Sequence, residues 1–353
     1  MTEAVIERGS TFGAAEAPGD AGGVIVRFRD AIDEGLRRTV ALQSSPVYDM
    51  LRYHLGIDGS AAASGKALRP TLCLLVCDAL GGAWTKAMPA AVSLELVHNF
   101  SLIHDDIQDN DGERHHRETV WARWGVPQAI NAGDAMFCLS SLNLRELRAH
   151  FDDATVVGAM TLLQDATREM IEGQVLDVGY EQVLEVSQDE YLHMIACKTG
   201  ALLRASIELG ALLADAGALV RLRCRRFGET TGRLFQIRDD MLGVWGETGV
   251  TGKPVGADIQ RKKKSMPIVM ALSLAPKSTR ERLLSIYGRD ALSEADVAEV
   301  QDIFRQLEVQ SAVQTMAEEA HQQALELADS INFSDEGRAQ LTSLVNFLLE
   351  RDH

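Results

Sequence analysis

The sequence predicts an all-α protein, a single-domain bundle of about ten helices around a central cavity. Apolar residues recur at helical spacing in segment after segment, and alternating, strand-like segments are nearly absent. No repeat period, low-complexity block or change in composition marks a second domain. Residues 1–23 are rich in Ala, Gly and Glu without periodicity, so we expect a flexible tail there and one domain over residues 24–353.

The individual helices follow from the same spacing. The first helix is expected to begin near Val24, with the apolar residues Val26, Phe28, Ile32 and Leu36. The second is expected to end at Gly81 and Gly82, after the apolar residues Leu72, Leu75, Val76 and Leu80. Further helices are predicted over residues 87–108, 127–150, 154–178, 189–213 and 219–244, with shorter ones up to Leu349.

Charge and composition exclude some classes of function. The chain of 353 residues is 46% hydrophobic, which allows a large core, and its net charge is −16. So acidic a chain does not suit nucleic acid as its main partner, because phosphate backbones select a basic protein face. An anionic small molecule would therefore need clustered Lys and Arg side chains or a bound metal ion.

The cysteines and the apolar segments bear on location. Five cysteines lie in apolar, helical segments without a C-x-x-C pair, so we expect buried, reduced thiols, as in the cytoplasm: Cys73, Cys77, Cys138, Cys197 and Cys224. The first residues contain no apolar signal sequence, and no later stretch has about 18 apolar residues without charge. Neither a signal peptide nor a membrane span is expected.

A first acidic cluster ends the predicted helix over residues 87–108. Asp105 and Asp109 are four residues apart and share one helical face, with Asp106 beside them. Like charges so placed repel each other by about a few tenths of a kcal/mol per pair. The arrangement favours a site for Mg²⁺, which binds carboxylates together with substrate phosphate oxygens. The alternative is a solvated acidic helix end.

A second acidic pair, Asp239 and Asp240, lies on another mostly apolar helix, so two such helices could hold metal from both sides. The alternative is a local pairing of Arg238 with a neighbouring carboxylate. A basic segment follows at residues 252–264, where clustered lysines could clamp a diphosphate. Its alternatives are a solvated surface or a nucleic-acid patch.

Taken together in this order, these motifs make the chain resemble the trans-polyprenyl diphosphate synthases over nearly its whole length after the tail. The segments that carry the resemblance are Gly65-Lys66-Ala67-Leu68-Arg69-Pro70, His98, Asp105-Asp106-x-x-Asp109, Arg114, Gln174 with Asp177, Lys198-Thr199-Gly200, Gln236 with Asp239 and Asp240, and Lys253 with Lys263. The resemblance implies the isoprenoid synthase fold, Mg²⁺ as cofactor, a homodimer, and condensation of an allylic prenyl diphosphate with isopentenyl diphosphate.

The resemblance also implies roles for these residues. Asp105, Asp109 and Asp239 would bind the metal, supported by Asp106 and Asp240. The allylic diphosphate would be held by Arg114, Lys198, Lys253 and Lys263. Isopentenyl diphosphate would lie on Lys66, Arg69 and His98. Thr199 and Gln236 would turn oxygen dipoles toward the carbocation, completing a catalytic set with Lys198 and Arg114.

Phe100 bears on product length. It precedes Asp105 by five residues, which places it roughly one and a half helical turns deeper than the metal end. A growing prenyl tail would meet this ring, and a bulky residue near this place limits elongation in the family. With no insertion in the first motif, geranylgeranyl diphosphate is the expected product. The alternative role of Phe100 is core packing.

Several positions depart from the family pattern. His115 replaces the second of two arginines, so the second substrate would bind more weakly, or only when this imidazole is protonated. Glu118 and Trp121 replace a proline and a histidine, Ala67 replaces a frequent arginine, and Gly243 replaces a third aspartate. Because of these changes, a terpene cyclase on the same scaffold is an alternative function. The presence of Lys66 and Arg69 disfavours it, since a cyclase does not need an isopentenyl diphosphate site. A second alternative is a regulatory subunit of a partner synthase, which the intact acid clusters disfavour.

Overall fold

The computed structural model describes residues 21–41, 44–58, 65, 67–115, 117–246 and 255–350. Almost all of these residues lie in helices: α1 Ala21–Ala41, α2 Pro46–His54, α3 Leu68–Ala79, α4 Met88–Gln108, α5 Val120–Trp124, α6 Val126–Leu144, α7 Asp153–Tyr180, α8 Gln188–Ile195, α9 Ala201–Leu213, α10 Ala218–Trp245, α11 Ala257–Gln260, α12 Met266–Leu274, α13 Lys277–Tyr287, α14 Glu294–Gln306, α15 Val309–Ser330 and α16 Asp335–Glu350. Two 3₁₀ turns, Trp84–Ala87 and Arg145–Ala149, and a π turn, Ala196–Gly200, join them. The strands β1 Glu113–Arg114 and β2 Arg117–Glu118 form a short antiparallel hairpin.

The all-α prediction is confirmed, and short helices add to the number of about ten that was expected. The segment predicted as one helix over residues 189–213 is divided, because the π turn interrupts it between α8 and α9. The first helix begins at Ala21, within the stretch expected to be a tail; residues 1–20 lie outside the described residues.

The core is formed by helices that are buried on nearly all sides. Almost every residue of α3 is buried, as is most of α9, which packs against it. At the periphery only one face is buried, so Val24, Phe28 and Ile32 of α1 point inward. Val26, predicted with this apolar set, is 65% exposed, because a residue two positions away falls on a different face of a helix.

Close packing around the π turn brings three elements to one place. At Gly173 of α7, a Cβ would lie 2.2 Å from the Lys198 backbone nitrogen. At Gly232 of α10, a Cβ would lie 2.8 Å from the Gly200 Cα. Glycine at both positions therefore lets α7 and α10 approach the turn that carries Lys198 and Thr199.

All five cysteines are free thiols, but they are not uniformly buried. Cys73, Cys77 and Cys224 are buried, whereas Cys197 is half-buried and Cys138 is exposed. The prediction was wrong for Cys138, which lies on the outward face of α6. Within the described part of the chain, no helix combines the length and apolar character needed to cross a membrane.

Candidate active site

The first acidic cluster lies at the carboxyl end of α4, facing the β-hairpin. Asp106 is buried, and its Oδ1 accepts a hydrogen bond from Arg114 Nε at 2.9 Å and forms an ion pair with Arg114 Nη2 at 2.8 Å. Its Oδ2 is also buried but has no hydrogen-bond partner among the described residues. The same holds for Oε1 of Gln174, whose amide donates to Gln108 at 2.7 Å. Buried oxygens without partners are uncommon, and they fit a site that takes up a cation or water.

The charge of this cluster is only partly compensated. Burial raises the pKa of Asp105 to about 6. The positive charge of Lys198 opposes this rise, and the negative charge of Asp109 adds to it. Burial likewise raises the pKa of Asp106 and of Asp109. Lys198 itself donates a short hydrogen bond to Asp177 across from the cluster. A hard divalent cation would relieve the remaining repulsion, since carboxylate oxygens are its preferred ligands.

In the second acidic pair, the two aspartates have different surroundings. Asp240 is buried and accepts hydrogen bonds from Tyr191 Oη, from Met266 N at 2.7 Å and from Gln236 Nε2 at 3.0 Å. Both its oxygens are therefore used to tie α8, α10 and the start of α12 together. Asp239 instead lines a cavity.

The described residues contain no group of three or more His, Cys, Asp or Glu side chains that could hold a metal ion by themselves. Mg²⁺ usually binds one or two carboxylates and takes its other ligands from water and substrate phosphates. A site built for Mg²⁺ and a diphosphate together therefore needs no such group. The donor chemistry of Asp105 and Asp109 fits this ion.

Two adjoining cavities lie beside the acid clusters. The first, of about 660 Å³, is largely apolar along its walls, with Asp105, Gln174 and Lys198 toward one end; Phe100, Phe137, Met170, Ile171 and Val175 supply apolar walls. The second, of about 420 Å³, is lined mainly by polar and charged side chains of both signs: the arginines Arg69, Arg114 and Arg117, the carboxylates Glu95, Asp106, Glu118 and Asp239, and the histidines His54, His98 and His115. Arg69, His98 and Leu102 line both cavities.

Arg69 and His98 form the boundary between the two cavities. The Arg69 Nη1 donates to His98 Nε2 over 3.1 Å, since a guanidinium has no acceptor. Burial and the nearby guanidinium lower the pKa of His98 well below its usual range, which keeps the ring neutral. Burial lowers the pKa of Arg69 to about 10, so the guanidinium stays charged at neutral pH.

Thr199 lies on the π turn at the wall of the first cavity, where its hydroxyl donates to Gln236 Oε1 at 2.6 Å. The same Gln236 donates to Asp240, so the hydroxyl is fixed through a chain of two hydrogen bonds. Lys263 lies 3.9 Å from Asp258. Burial alone would lower the pKa of Lys263, but Asp258, Asp240 and Asp239 raise it.

The structure thus brings together most of the predicted site residues around the two cavities, and His115 lies exposed at the hairpin turn. Lys66 and Lys253 lie outside the described residues. Sequence reasoning missed Tyr191, the buried partner of Asp240, as well as His54, Arg117 and Phe137. No local motif marks these residues, because each reaches the site from a separate helix or strand.

Comparison with known proteins agrees with this geometry. The family model for polyprenyl synthetase matches residues 54–304. The chain belongs to the polyprenyl synthetase family. As a member of it, the protein is a trans-prenyltransferase of isoprenoid biosynthesis, which confirms the predicted family and enzyme class.

Curated relatives of this polyprenyl synthetase carry different product names. It is 36% identical over 313 residues to (2E,6E)-farnesyl diphosphate synthase of Mycobacterium tuberculosis, covering 86% of this chain and 85% of that one. It is 38% identical over 286 residues to geranylgeranyl diphosphate synthase of the same organism, and the match covers 79% of this chain and 81% of that one. The relatives therefore agree on the enzyme class and leave the product length open.

Solved structures agree with the fold of this polyprenyl synthetase. A polyprenyl synthetase from Streptomyces coelicolor superposes with a TM-score of 0.85 at 33% identity, covering 93% of this chain and 99% of that one. A polyprenyl synthase from Caulobacter crescentus, in complex with calcium and isoprenyl diphosphate, gives a TM-score of 0.82 at 26% identity, covering 96% and 100%. The predicted isoprenoid synthase fold is confirmed.

Proposed function

We propose that this polyprenyl synthetase condenses an allylic prenyl diphosphate with isopentenyl diphosphate in the presence of Mg²⁺, and that its product is geranylgeranyl diphosphate. The observation that carries the proposal is the pair of adjoining cavities with Arg69 and His98 between them. One cavity has largely apolar walls, and the other has polar walls with three arginines, Arg69, Arg114 and Arg117, among charged side chains of both signs. Two such compartments suit two diphosphates, of which only one carries a long tail.

The allylic substrate occupies the first cavity in this proposal. Its tail packs on the apolar walls, while its diphosphate lies near Lys198, Asp105 and Asp109. Asp105, Asp109 and Asp239 hold Mg²⁺, which neutralises diphosphate charge when bound, and Asp106 and Asp240 support them. Three further cations bind the allylic diphosphate in this proposal: Arg114, Lys253 and Lys263. Arg114 also lines the second cavity and pairs with Asp106.

Isopentenyl diphosphate occupies the second cavity. Arg69 and His98 lie at its inner boundary, and His115 lies at its rim. The neutral His98 ring has its Nε2 engaged by Arg69, so only its other nitrogen is available to donate. Lys66 is expected to add a further cation. The shared boundary would bring the double bond of this substrate against the first cavity.

The condensation follows from this arrangement. The allylic carbon–oxygen bond breaks and diphosphate leaves with the electron pair. The isopentenyl double bond then attacks the allylic cation, forming the new carbon–carbon bond, and a proton is lost to the departed diphosphate. Thr199 lies at the wall of the first cavity, where the hydrogen bond to Gln236 fixes its hydroxyl oxygen, which suits stabilisation of the cation; Gln236 acts with it in this proposal.

The test is incubation of purified protein with Mg²⁺ and farnesyl diphosphate, with and without isopentenyl diphosphate, followed by mass spectrometry. Geranylgeranyl diphosphate formed only with both substrates supports the proposal. A hydrocarbon or alcohol from farnesyl diphosphate alone means a terpene cyclase. Elongation without any partner protein excludes a regulatory subunit. The Asp105→Asn variant is expected to lose elongation, whereas Asp153→Asn, whose side chain is exposed on α7, is the matched control.

We also propose that the protein forms a homodimer through α6 and α7. Both helices expose large apolar side chains outside the first cavity, among them Ile130, Leu142 and Val157. Apolar patches of this kind are typical of protein interfaces. Light scattering after gel filtration should give twice the chain mass, and a monomer at micromolar concentration would contradict this assembly. A cytoplasmic location stays a prediction from the sequence.

A further inference from the structure

The β-hairpin carries two arginines that are direct neighbours across its strands. Arg114 of β1 pairs in register with Arg117 of β2. Opposite residues of an antiparallel pair have their side chains on the same face, with Cβ atoms about 5 Å apart. Both arginines are half-buried, and both line the second cavity. Like charges placed in this way repel each other, so the pair favours an anion in front of it.

The two guanidiniums have carboxylate partners of different strength. Arg114 is paired with Asp106, which is buried. The Nη2 of Arg117 lies 3.3 Å from Asp58 Oδ2, and the two side chains are 21% and 28% exposed. Asp58 lines a neighbouring surface depression rather than the second cavity. An ion pair open to solvent is weak, so an anion in the cavity can replace Asp58 as the partner of Arg117.

The guanidinium of Arg117 is held in place by Tyr53 of α2. Its Cζ lies 4.0 Å from the centroid of the Tyr53 ring, and its Nη1 donates to the Tyr53 carbonyl oxygen at 3.2 Å. The Tyr53 hydroxyl donates to the Glu118 carbonyl oxygen at 2.9 Å, which ties the same ring to β2. A stacked guanidinium has its donor fork already oriented, so it loses little freedom when it binds an anion.

His115, which stands where the family pattern has a second arginine, has a less favourable position. It lies exposed at the turn of the hairpin, with a φ of +50°, beyond the residues that pair in register. A neutral imidazole has one donor, whereas a guanidinium has five. The register thus places a guanidinium beside Arg114 from Arg117, two residues later in the sequence than the pattern has it.

We propose that Arg117 binds the diphosphate of isopentenyl diphosphate and supplies the guanidinium that His115 lacks. The inference rests on the proposed chain elongation and adds a residue to its second-substrate site. Binding replaces the ion pair with Asp58 by charged hydrogen bonds to the diphosphate, while the contacts with Tyr53 persist. The hairpin then divides its two guanidiniums between the two substrates, with Arg114 for the allylic diphosphate and Arg117 for the isopentenyl diphosphate.

The experiment compares Arg117→Met with two control variants, Arg123→Met and Asp58→Asn. Arg123 stacks on the same Tyr53 ring, with its Cζ 4.5 Å from the centroid, but it lies outside the second cavity. Asp58→Asn removes the ion pair and leaves Arg117 in place. The KM for isopentenyl diphosphate is measured with Mg²⁺ and saturating farnesyl diphosphate. The Kd of the unreactive analogue isopentenyl thiolodiphosphate is measured by calorimetry.

We expect Arg117→Met to raise this KM and this Kd about tenfold or more, the loss typical of one charged hydrogen bond. The KM for farnesyl diphosphate should change much less. Arg123→Met and Asp58→Asn should leave both constants within about twofold of the wild type. Wild-type constants in Arg117→Met would overturn the proposal. Equal rises in Arg117→Met and Asp58→Asn would also overturn it, because the ion pair alone would then explain the loss.

His115→Ala should raise both constants less than Arg117→Met does, and a larger rise would overturn the proposal. If the wild type elongates nothing, the proposed function fails, whereas the Kd values of the analogue still decide the role of Arg117. A wild type that does not bind the analogue would overturn that role too. If Arg117→Met loses its melting transition, Arg117→Gln replaces it, since an amide can still donate to the Tyr53 carbonyl. An unchanged Kd in Arg117→Gln would likewise overturn the proposal.

Discussion

The carboxylate of Asp258 packs directly on Gly243. A Cβ added at Gly243 would lie 2.1 Å from Asp258 Oδ2 and 2.5 Å from its Cγ. This glycine stands where the family pattern often has a third aspartate, so the space is filled by a carboxylate that arrives from α11. The same carboxylate lies 3.9 Å from Lys263, and among the carboxylates that raise the pKa of Lys263 it has a larger effect than Asp240 and Asp239.

Gly243→Ala should therefore displace Asp258 and loosen Lys263. We expect a loss of about 1–3 kcal/mol in the free energy of unfolding, the usual cost of overpacking. The KM for the allylic diphosphate should rise about tenfold, with a smaller change for isopentenyl diphosphate. Gly179→Ala is the control, because a Cβ there meets nothing within 4 Å. Equal effects of the two substitutions would refute this role of Gly243.

Asp240 should matter for stability because it is a structural acceptor. Tyr191 and Met266 both donate to Oδ2 of Asp240, whereas Gln236 donates to Oδ1. Asp240→Asn can keep one oxygen toward Tyr191 and Met266, but its amide cannot accept from Gln236 and the charge that strengthens all three hydrogen bonds is lost, so we expect a loss of about 1–3 kcal/mol in chemical denaturation. Tyr191→Phe removes a hydrogen bond that Asp240→Asn already weakens. The double variant should therefore lose less than the sum of the single losses. Additive losses would mean that the two residues do not interact.

Arg69 should act mainly on the second substrate. Arg69→Ala removes a half-buried cation from the boundary of both cavities, and we expect the KM for isopentenyl diphosphate to rise about 10- to 100-fold. The KM for the allylic diphosphate should change much less. Arg69→Lys keeps the charge and should recover part of the loss. Arg145→Ala, at an exposed position, serves as the control; a rise of both KM values together in Arg69→Ala would contradict the separation of the two compartments.

His54 should make the fold less stable in acid. Burial and Arg114 lower its pKa to about 3, helped by His115 and Arg117 and opposed by a hydrogen bond with Asn99. The unfolded chain takes up a proton near pH 6.5, whereas the folded chain does not, so this contribution to stability is present above that pH and is lost as pH falls toward 3. One group can contribute a slope of at most about 1.4 kcal/mol per pH unit.

The His54→Gln variant removes this titration. Its free energy of unfolding should fall less than that of the wild type between pH 7 and pH 5, by about 2 kcal/mol over that range. Denaturant titrations at the two pH values measure the difference. His321→Gln, on α15 and away from both cavities, is the control. Parallel losses in the wild type and in His54→Gln would show that His54 does not cause the acid sensitivity.

The helices and the residues of the acid clusters could be predicted from sequence because both are local. Apolar spacing identified the segment 87–108 nearly to the residue, and Asp105 with Asp109 follows from one helical turn. The contact between Asp258 and Gly243 could not be predicted, since it depends on where α11 packs against α10. The same applies to Phe137, whose place depends on the pairing of α4 and α6.

The π turn at Ala196–Gly200 was missed for a different reason, because one extra residue barely alters an apolar pattern read over a whole helix. In three dimensions that residue corresponds to a rotation of about 100° between the segments on either side. Helix α8 can therefore turn Tyr191 toward Asp240 while α9 keeps its own apolar face in the core. A single-codon deletion within the turn would force one of these two faces to rotate away, whereas the same deletion in the exposed turn at residues 289–291 would leave both helix phases intact.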